Sequence, residues 1–336
     1  IRDSYHQFRG GELLTNVTGI MDYGRSISYY DDVYRIQPTE GADYTPTNPR
    51  TPAPDIIEGD IKVASLNVYN YFTTIDDGSN DICAPSGDME CRGADTADEL
   101  ERQRAKIIEA LATIDADIVG LMEIENDRPG PPPDYAVADL VAGLNAIPGG
   151  DTYAFIATGA IGTDAIKVAL IYKPDNVTPV DDFAVLDSSV DPTFIDTKNR
   201  PVLAQTFMDN IVGDAVTVAV NHLKSKGSDC DALGDPDLFD GQGNCNLTRT
   251  SAALAEVQWL ATDPTGTGVE NHLIIGDLNA YDKEDPIDTI KAGADEVLGT
   301  ADDYLDMIYE VLGEDAYSYL FDGKIGYLDY AMANTT

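Results

Sequence analysis

The sequence predicts an α/β fold with buried sheets, on three observations. Apolar runs of strand length alternate along the chain with segments of helical periodicity. Several strand segments are apolar without a break, the pattern of sheets covered on both faces. With 336 residues, 43% of them hydrophobic, the chain can also bury a large core.

Residues 1–37 hold short β-like pieces, "ELLTNVTGIMDY" and "DVYRIQP", and read as the C-terminal part of a small β module. Residues 38–59 carry Pro38, Pro46, Pro49, Pro52 and Pro54, and proline spacing of this kind predicts a linker. From Asp60 the pattern changes, and one large domain is expected over 60–336. It opens with the strand "IKVASLNVYNYF". The helix "TADELERQRAKIIEALATI" follows, with Leu100, Ile107, Ile108, Leu111 and Ile114 at helical spacing, and then the buried strand "ADIVGLMEIEN". Strands "KVALIYKP" and "AVTVAVNHLKSKG", the helix "RTSAALAEVQWLA" and the strand "HLIIGDLNAY" come later.

Lysine and arginine number 21 and aspartate and glutamate 60, a formal net charge of −39. Such a balance favours solubility, repels polyanions at long range and attracts cations. Acid spread between well-formed apolar runs excludes a disordered acidic tail and suggests saline or divalent-rich surroundings. No apolar run approaches the ~20 residues of a membrane helix. Cys83 with Cys91, and Cys230 with Cys245, lie in polar loops without the His partners or CxxC spacing of a zinc site. Two loop-closing disulfides are expected, and with them a secreted, extracellular or cell-surface location. The chain begins at Ile1 without a signal peptide and stops at "AMANTT", so both ends are expected to be cut from a longer protein.

Polar residues stand where apolar strands end: Asn67, Glu123, His222, then Asp277 and Asn279. Any one alone reads as a turn former, since Asp and Asn cap turns widely. Together they fit a site better, because α/β proteins gather catalytic groups beyond strand ends. The residue types suit phosphodiester hydrolysis, which needs charge neutralisation at phosphoryl oxygens, an oriented water and help for the leaving alkoxide. Magnesium keeps several waters and needs only one or two protein carboxylates.

"LNVYNYF", "LMEIEND", "NHLKSKG", "IIGDLNAY" and "GYLDYAMAN" occur in the order and context of the endonuclease/exonuclease/phosphatase superfamily, which includes DNase I and apurinic endonucleases. "RGAD", "ERQRAKIIEAL", "KSKGSDC", "DGQGNCNLTRT" and "WLATDPTG" resemble its secreted bacterial nucleases of the ExeM type, the likeness running from about residue 50 to 334. The resemblance implies two mixed β-sheets packed as a DNase I-like sandwich flanked by helices, and a phosphodiesterase using Mg²⁺ or Mn²⁺. It further implies that Glu123 binds the metal, that Asn67 supports metal or phosphate, and that Asp277 orients or deprotonates water. Asn279 would donate to phosphate, His222 would bind phosphate or protonate the leaving group, and Lys224 and Arg200 would supply positive charge. His6 is placed in the N-terminal module, and His272, before a strand, is read as structural.

Two departures qualify the likeness. Family members end in an "SDH" segment whose histidine is partnered by an aspartate, here Asp329, and no histidine follows Asp329 in this sequence. The expectation is a fragment lacking its last strand and final histidine. The acidic segment "GADEVLGTADDYLDMIYEVLGEDAYSYLFDGK" is longer than a simple connection, and its Asp295, Asp302 and Asp303, like the acids of "DCDALGDPDLFDGQGN", are candidates for a structural Ca²⁺.

The function expected is an extracellular Mg²⁺-dependent nuclease acting on DNA with little sequence preference. The net charge stands against it, so Lys224, Lys226, Arg249 and Arg200 would have to form a local cationic surface. Hydrolysis of a small phosphoester or phospholipid head group is the alternative on the same fold. A catalytically silent cell-surface or matrix module, associated with other domains of a longer chain, is the alternative from another class.

Overall fold

The computed structural model describes residues 9–25, 32–49, 51–55, 57–78, 81–321 and 324–335; His6 lies outside them. The chain opens with β1 (Leu13–Thr15), β2 (Gly19–Arg25), β3 (Asp32–Pro38), β4 (Asp43–Thr45), β5 (Val63–Tyr71), α1 (Ala97–Ile114), β6 (Ile118–Glu125) and α2 (Tyr135–Asn145). It continues through β7 (Ala154–Phe155), β8 (Ile166–Tyr172), β9 (Val177–Leu186), β10 (Arg200–Asp209), β11 (Ala215–His222), α3 (Asn246–Leu260) and β12 (His272–Asp277). It closes with α4 (Asp285–Lys291), β13 (Tyr304–Asp306), α5 (Met307–Leu312), β14 (Tyr319–Phe321), β15 (Lys324–Gly326) and β16 (Asp329–Asn334).

The elements group into two units, Ile1–Pro54 with Leu312–Tyr327, and Asp55–Val311 with Leu328–Thr336. In the first, β1 pairs with β4, β2 with β3 and β14 with β15, all antiparallel. The carbonyl of Gly10 accepts from Asn48 Nδ2 at 2.8 Å and from Tyr317 Oη at 3.0 Å, tying the late segment to the early one. The segment 38–59, expected as a linker, thus carries β4 and Asn48. Its prolines permit this because Pro38 closes β3 and Pro46 follows β4, positions where a missing N–H costs no interior ladder bond.

The second unit is built on two mixed sheets. One runs β5-β6-β8-β7 and the other β13-β16-β12-β11-β10-β9; the β5/β6 and β11/β12 pairs are parallel and the rest antiparallel. Ile118, Met122, Val168 and Leu170 of the first sheet share a core with Leu203, Phe207, Val218, Val220 and Ile275 of the second. The opposite face of the first sheet, with Val119, Leu121, Ala169 and Ile171, packs under Ile107 and Leu111 of α1 and Val137 and Leu140 of α2. Each fully buried side chain of this size contributes roughly 1.5–3 kcal/mol. The arrangement is the expected two-sheet sandwich with helices outside. Helix α1 starts where Thr96 Oγ1 accepts the Glu99 N–H and ends at Asp115 in the left-handed region, φ 53°.

Both disulfides form, Cys83–Cys91 and Cys230–Cys245. The second closes 15 residues of sequence, a loop for which the chain-entropy gain is about 3 kcal/mol. Among the described residues no helix is long and apolar enough to cross a membrane.

Helix α3 lies against β11 through a buried pair, Asn221 Nδ2 donating to Glu256 Oε1 at 2.5 Å. Burial pushes the Glu256 carboxyl up to about 8, with the Asn221 bond opposing. The folded protein therefore holds a proton that the unfolded chain releases near 4.5. Stability should fall as pH rises from about 4.5 to about 8, by up to ~1.4 kcal/mol per pH unit. Urea denaturation across that range should show a shallower decline for Glu256→Gln, and an unchanged slope would place the proton elsewhere.

Candidate active site

The two parallel strand pairs of the sandwich end at one place. Asn67 sits on β5 opposite Met122, the residue before Glu123 on β6. His222 at the end of β11 is in register with Asp277 at the end of β12, and Asp329 of β16 faces Asp277 from the other side. That last pairing sets two carboxylates directly across a ladder, which is unfavourable unless a proton or cation intervenes. Gly276 makes the approach of β11 and β12 feasible. Its φ is 128°, and a Cβ there would stand 2.1 Å from the Asn221 carbonyl oxygen.

Bulges aim the acids. The β5/β6 register shifts after Asn67, and the β6/β8 register shifts between Leu121 and Ile124. Glu123 occupies the extra position on β6 with φ 64°, while Tyr69 and Asn70 on β5 have φ 56° and 52°. Left-handed residues at strand bulges are a recurrent device for redirecting a side chain beside a functional centre. Glu123 thereby receives two donors, Asn67 Nδ2 at 3.1 Å to Oε1 and the Asn70 N–H at 2.8 Å to Oε2. The same Asn67 nitrogen donates to Asp277 Oδ2 at 3.3 Å, so one carboxamide spans both sheets. Its own oxygen accepts the Tyr69 N–H at 2.9 Å.

Past the strand end, the "GDLNA" turn is held from both sides. Asp277 Oδ1 accepts the Asn279 N–H at 2.9 Å, the Leu278 N–H reaches Leu328 O at 2.8 Å, and Tyr330 Oη reaches Ala280 O at 3.0 Å. Burial, then the Asp329 charge, pushes the Asp277 carboxyl up to about 7 against the opposing bonds from Asn279 and Asn67. Burial also raises Asp329. His222 is held well below its ordinary value by burial and then by Arg200, Lys224 and Arg92, so its ring is neutral at pH 7. Its Nε2 stands 3.9 Å from Glu123 Oε1, and its buried Nδ1 has no hydrogen-bond partner among the described residues.

Among the described residues no three His, Cys, Asp or Glu side chains group closely enough to form a ready-made metal cage. Magnesium does not require one, since a site with one or two carboxylates completed by water suffices. Glu123 and Asp277, both bonded to one neutral amide, form an all-oxygen pair of that kind. The residues present therefore fit a hard divalent cation. Asn67 donates to both acids through its NH₂ group.

The expected cations separate into two groups. Arg200, in register with His222, pairs with Asp164 at 2.8 Å, and Lys224 is buried with its Nζ donating to Ser225 O at 2.5 Å. Arg249 and Lys226 do not join them. The Arg249 guanidinium is fully buried and donates to the carbonyls of Lys224, Asn244 and Gln242, fastening the disulfide loop, while Lys226 pairs with Glu284 at 2.5 Å. Asn279 Nδ2 donates to Leu223 O at 3.0 Å, which commits one of its two hydrogens to the fold. His272 sits at the start of β12, the opposite end from Asp277, beside Tyr304. In the acidic segment, Asp295, Asp302 and Asp303 accept N–H and hydroxyl donors of their own turn. Sequence reasoning missed Arg92, which pairs with Asp164 beside Arg200, although "RGAD" had marked the segment.

The profile of the Endonuclease/Exonuclease/phosphatase family matches residues 62–334. No curated protein matches the chain. Similar solved structures include an endonuclease/exonuclease/phosphatase family protein from Bacteroides thetaiotaomicron, 15% identical over 82% of each chain, TM-score 0.49. A mannosyl-6-phosphatase from the same organism is 15% identical over 82% of this chain and 85% of its own, TM-score 0.49. The human Nocturnin catalytic domain is 16% identical over 70% of this chain and 75% of its own, TM-score 0.45. The chain belongs to the Endonuclease/Exonuclease/phosphatase family.

Proposed function

We propose that the protein is an extracellular, divalent-metal-dependent phosphodiesterase of the ExeM-like type that cleaves DNA with little sequence preference. The observation that carries the reading is the Asn67 carboxamide, which holds Glu123 and Asp277 on facing strand ends beside His222. A Mg²⁺ or Mn²⁺ ion, held by Glu123 and water with Asp277 adjacent, would neutralise charge on the phosphoryl oxygens.

The remaining roles belong to the chain's own side chains. Asp277, a carboxylate at the strand end whose direction is fixed by its Asn279 and Asn67 bonds, accepts a proton from the attacking water. His222 is neutral and donates an N–H to a phosphate oxygen. Arg200 and Lys224 supply the positive charge on that side, and the second hydrogen of Asn279 Nδ2 faces the same task. The two disulfides support an oxidising, extracellular setting. Hydrolysis of a small phosphoester on the same residues is the competing reading. It is favoured by the net charge of −39, which repels a long polyanion.

Three measurements on the full-length protein test the proposal. Chelation should abolish phosphodiesterase activity, with recovery on adding Mg²⁺ or Mn²⁺ and a nearly unchanged circular dichroism spectrum. DNA degradation that survives rigorous chelation would end the metal-dependent reading. Asp277→Asn keeps the acceptor for the Asn279 N–H but gives up the one for Asn67, so with thermal melts confirming its fold it should lose ~10²–10⁴-fold in kcat on plasmid DNA. A turn-capping role alone predicts wild-type turnover. Asn67→Asp replaces the neutral bridge with a further carboxylate and should destabilise more than Asn67→Ala in urea melts under chelation, the reverse order contradicting the bridge.

A further inference from the structure

Beside His222 lies a cavity of about 560 Å³ whose lining is cationic, in a chain that is otherwise strongly acidic. Arg92, Lys198, Arg200 and Lys224 line it, with Asp88 and Asp164 as the only lining carboxylates among the described residues. Hydroxyls of Ser86, Thr163, Thr197, Ser225 and Ser228 complete the wall. Clustered guanidinium and ammonium groups with hydroxyl donors are the chemistry of phosphate contacts.

The cations are held there rather than scattered. Asp164 clamps two of them, its Oδ1 2.5 Å from Arg92 Nη2 and its Oδ2 2.8 Å from Arg200 Nη2. One carboxylate cannot neutralise both. Arg200 Nε is buried without a hydrogen-bond partner, and Lys198 makes no side-chain ion pair among the described residues. Lys224 is buried, and burial together with Arg200, Lys198 and Arg249 lowers it to about 8. An anion in the cavity would relieve that mutual repulsion.

Its location relative to the acids suggests what the anion belongs to. Arg200 is in register with His222, and Arg92, Arg200 and Lys224 all act on the His222 ring. Arg92 also lines a second cavity of about 630 Å³ that reaches Asn67. The cationic cavity is therefore tied to the hydrolytic cluster through Arg200, which is in register with His222, and Arg92 lines both this cavity and the one that reaches Asn67.

We propose that this cavity is a subsite for a second phosphate, adjoining the scissile one, so that the substrate is a polynucleotide strand rather than a phosphomonoester. The inference rests on the phosphodiesterase reading and deepens it by assigning the residues that hold a neighbouring phosphate of the strand. Lys198 and Arg92 are the contacts peculiar to the second phosphate.

Binding of 5′-fluorescein-labelled octathymidylate, read by fluorescence anisotropy under chelation, tests it without turnover. Lys198→Ala should weaken Kd about 5- to 10-fold and reduce the slope of log K against log salt by about 0.7, the share of one single-strand phosphate. Arg92→Gln should act in the same direction, with thermal melts confirming that both variants fold. Thymidine 5′-monophosphate, used as competitor, should displace the oligonucleotide equally from wild type and Lys198→Ala once their Kd difference is allowed for. Unchanged oligonucleotide binding in both variants would overturn the subsite, as would equal weakening of the monophosphate, which marks a simple anion site. An inactive full-length enzyme with Lys198-dependent strand binding would overturn the hydrolase reading alone. An active enzyme with Lys198-independent binding would overturn the subsite alone.

Discussion

The Asn67 carboxamide is the contact on which the site depends. It places one neutral NH₂ group between acids of facing sheets, at 3.1 Å from Glu123 and 3.3 Å from Asp277. Carboxylates drawn together where water is scarce repel several times more strongly than in bulk solvent. A primary amide suits such a place because it offers two hydrogens and no charge. Its orientation is set from outside, since the Tyr69 N–H occupies the amide oxygen. The bulge at Tyr69 and Asn70 supplies that N–H and, through Asn70, a further donor to Glu123. Gly276 brings β12 close enough to β11 for Asp277 to stand in register with His222.

The charge of the chain divides locally at this point. Asp277 flanks His222 on β12 with Asp329 beyond it on β16, while Arg200 flanks it on β10 and lines a cavity with Arg92, Lys198 and Lys224. A net charge of −39 describes the field felt at long range, which salt screens within about 10 Å. Contact with a ligand is decided by the nearer groups. Asp164 keeps two arginines beside each other at the cost of only one negative charge, so the cationic side survives in an acidic protein. His222 between them remains neutral, which preserves its N–H as a donor without adding another cation.

Much of the larger unit was legible in its sequence. The helix expected over 96–114 appears as Ala97–Ile114, and the strands expected around "VASLNVYNY", "IVGLMEIE" and "HLIIGD" appear as β5, β6 and β12. Long segments with one consistent period leave little choice of structure, because only one conformation buries their apolar face. The polar residues closing those strands were visible as breaks in apolar runs, and the cysteines paired within their own loops as expected. The smaller unit was read less fully. Its strands β14 and β15 come from a late segment that carried no mark of belonging with residues 1–54, since contact between distant segments leaves no local period.

By itself, the sequence determined the element types, the two disulfide loops and the residue types gathered at strand ends, because periodicity, loop length and donor chemistry are local properties. Tertiary structure alone decided which of those residues meet. Arg249 and Arg200 are alike in sequence, yet one is buried against loop carbonyls and the other faces Asp164 near His222. Glu123 turns toward Asn67 because a bulge adds one residue to β6, and a strand's side chains change face with every residue gained. Asp277 and Asp329 become neighbours only when β16 pairs with β12, 52 positions apart in the register that the sheet imposes. Through-space electrostatics depends on separations that chain order does not encode.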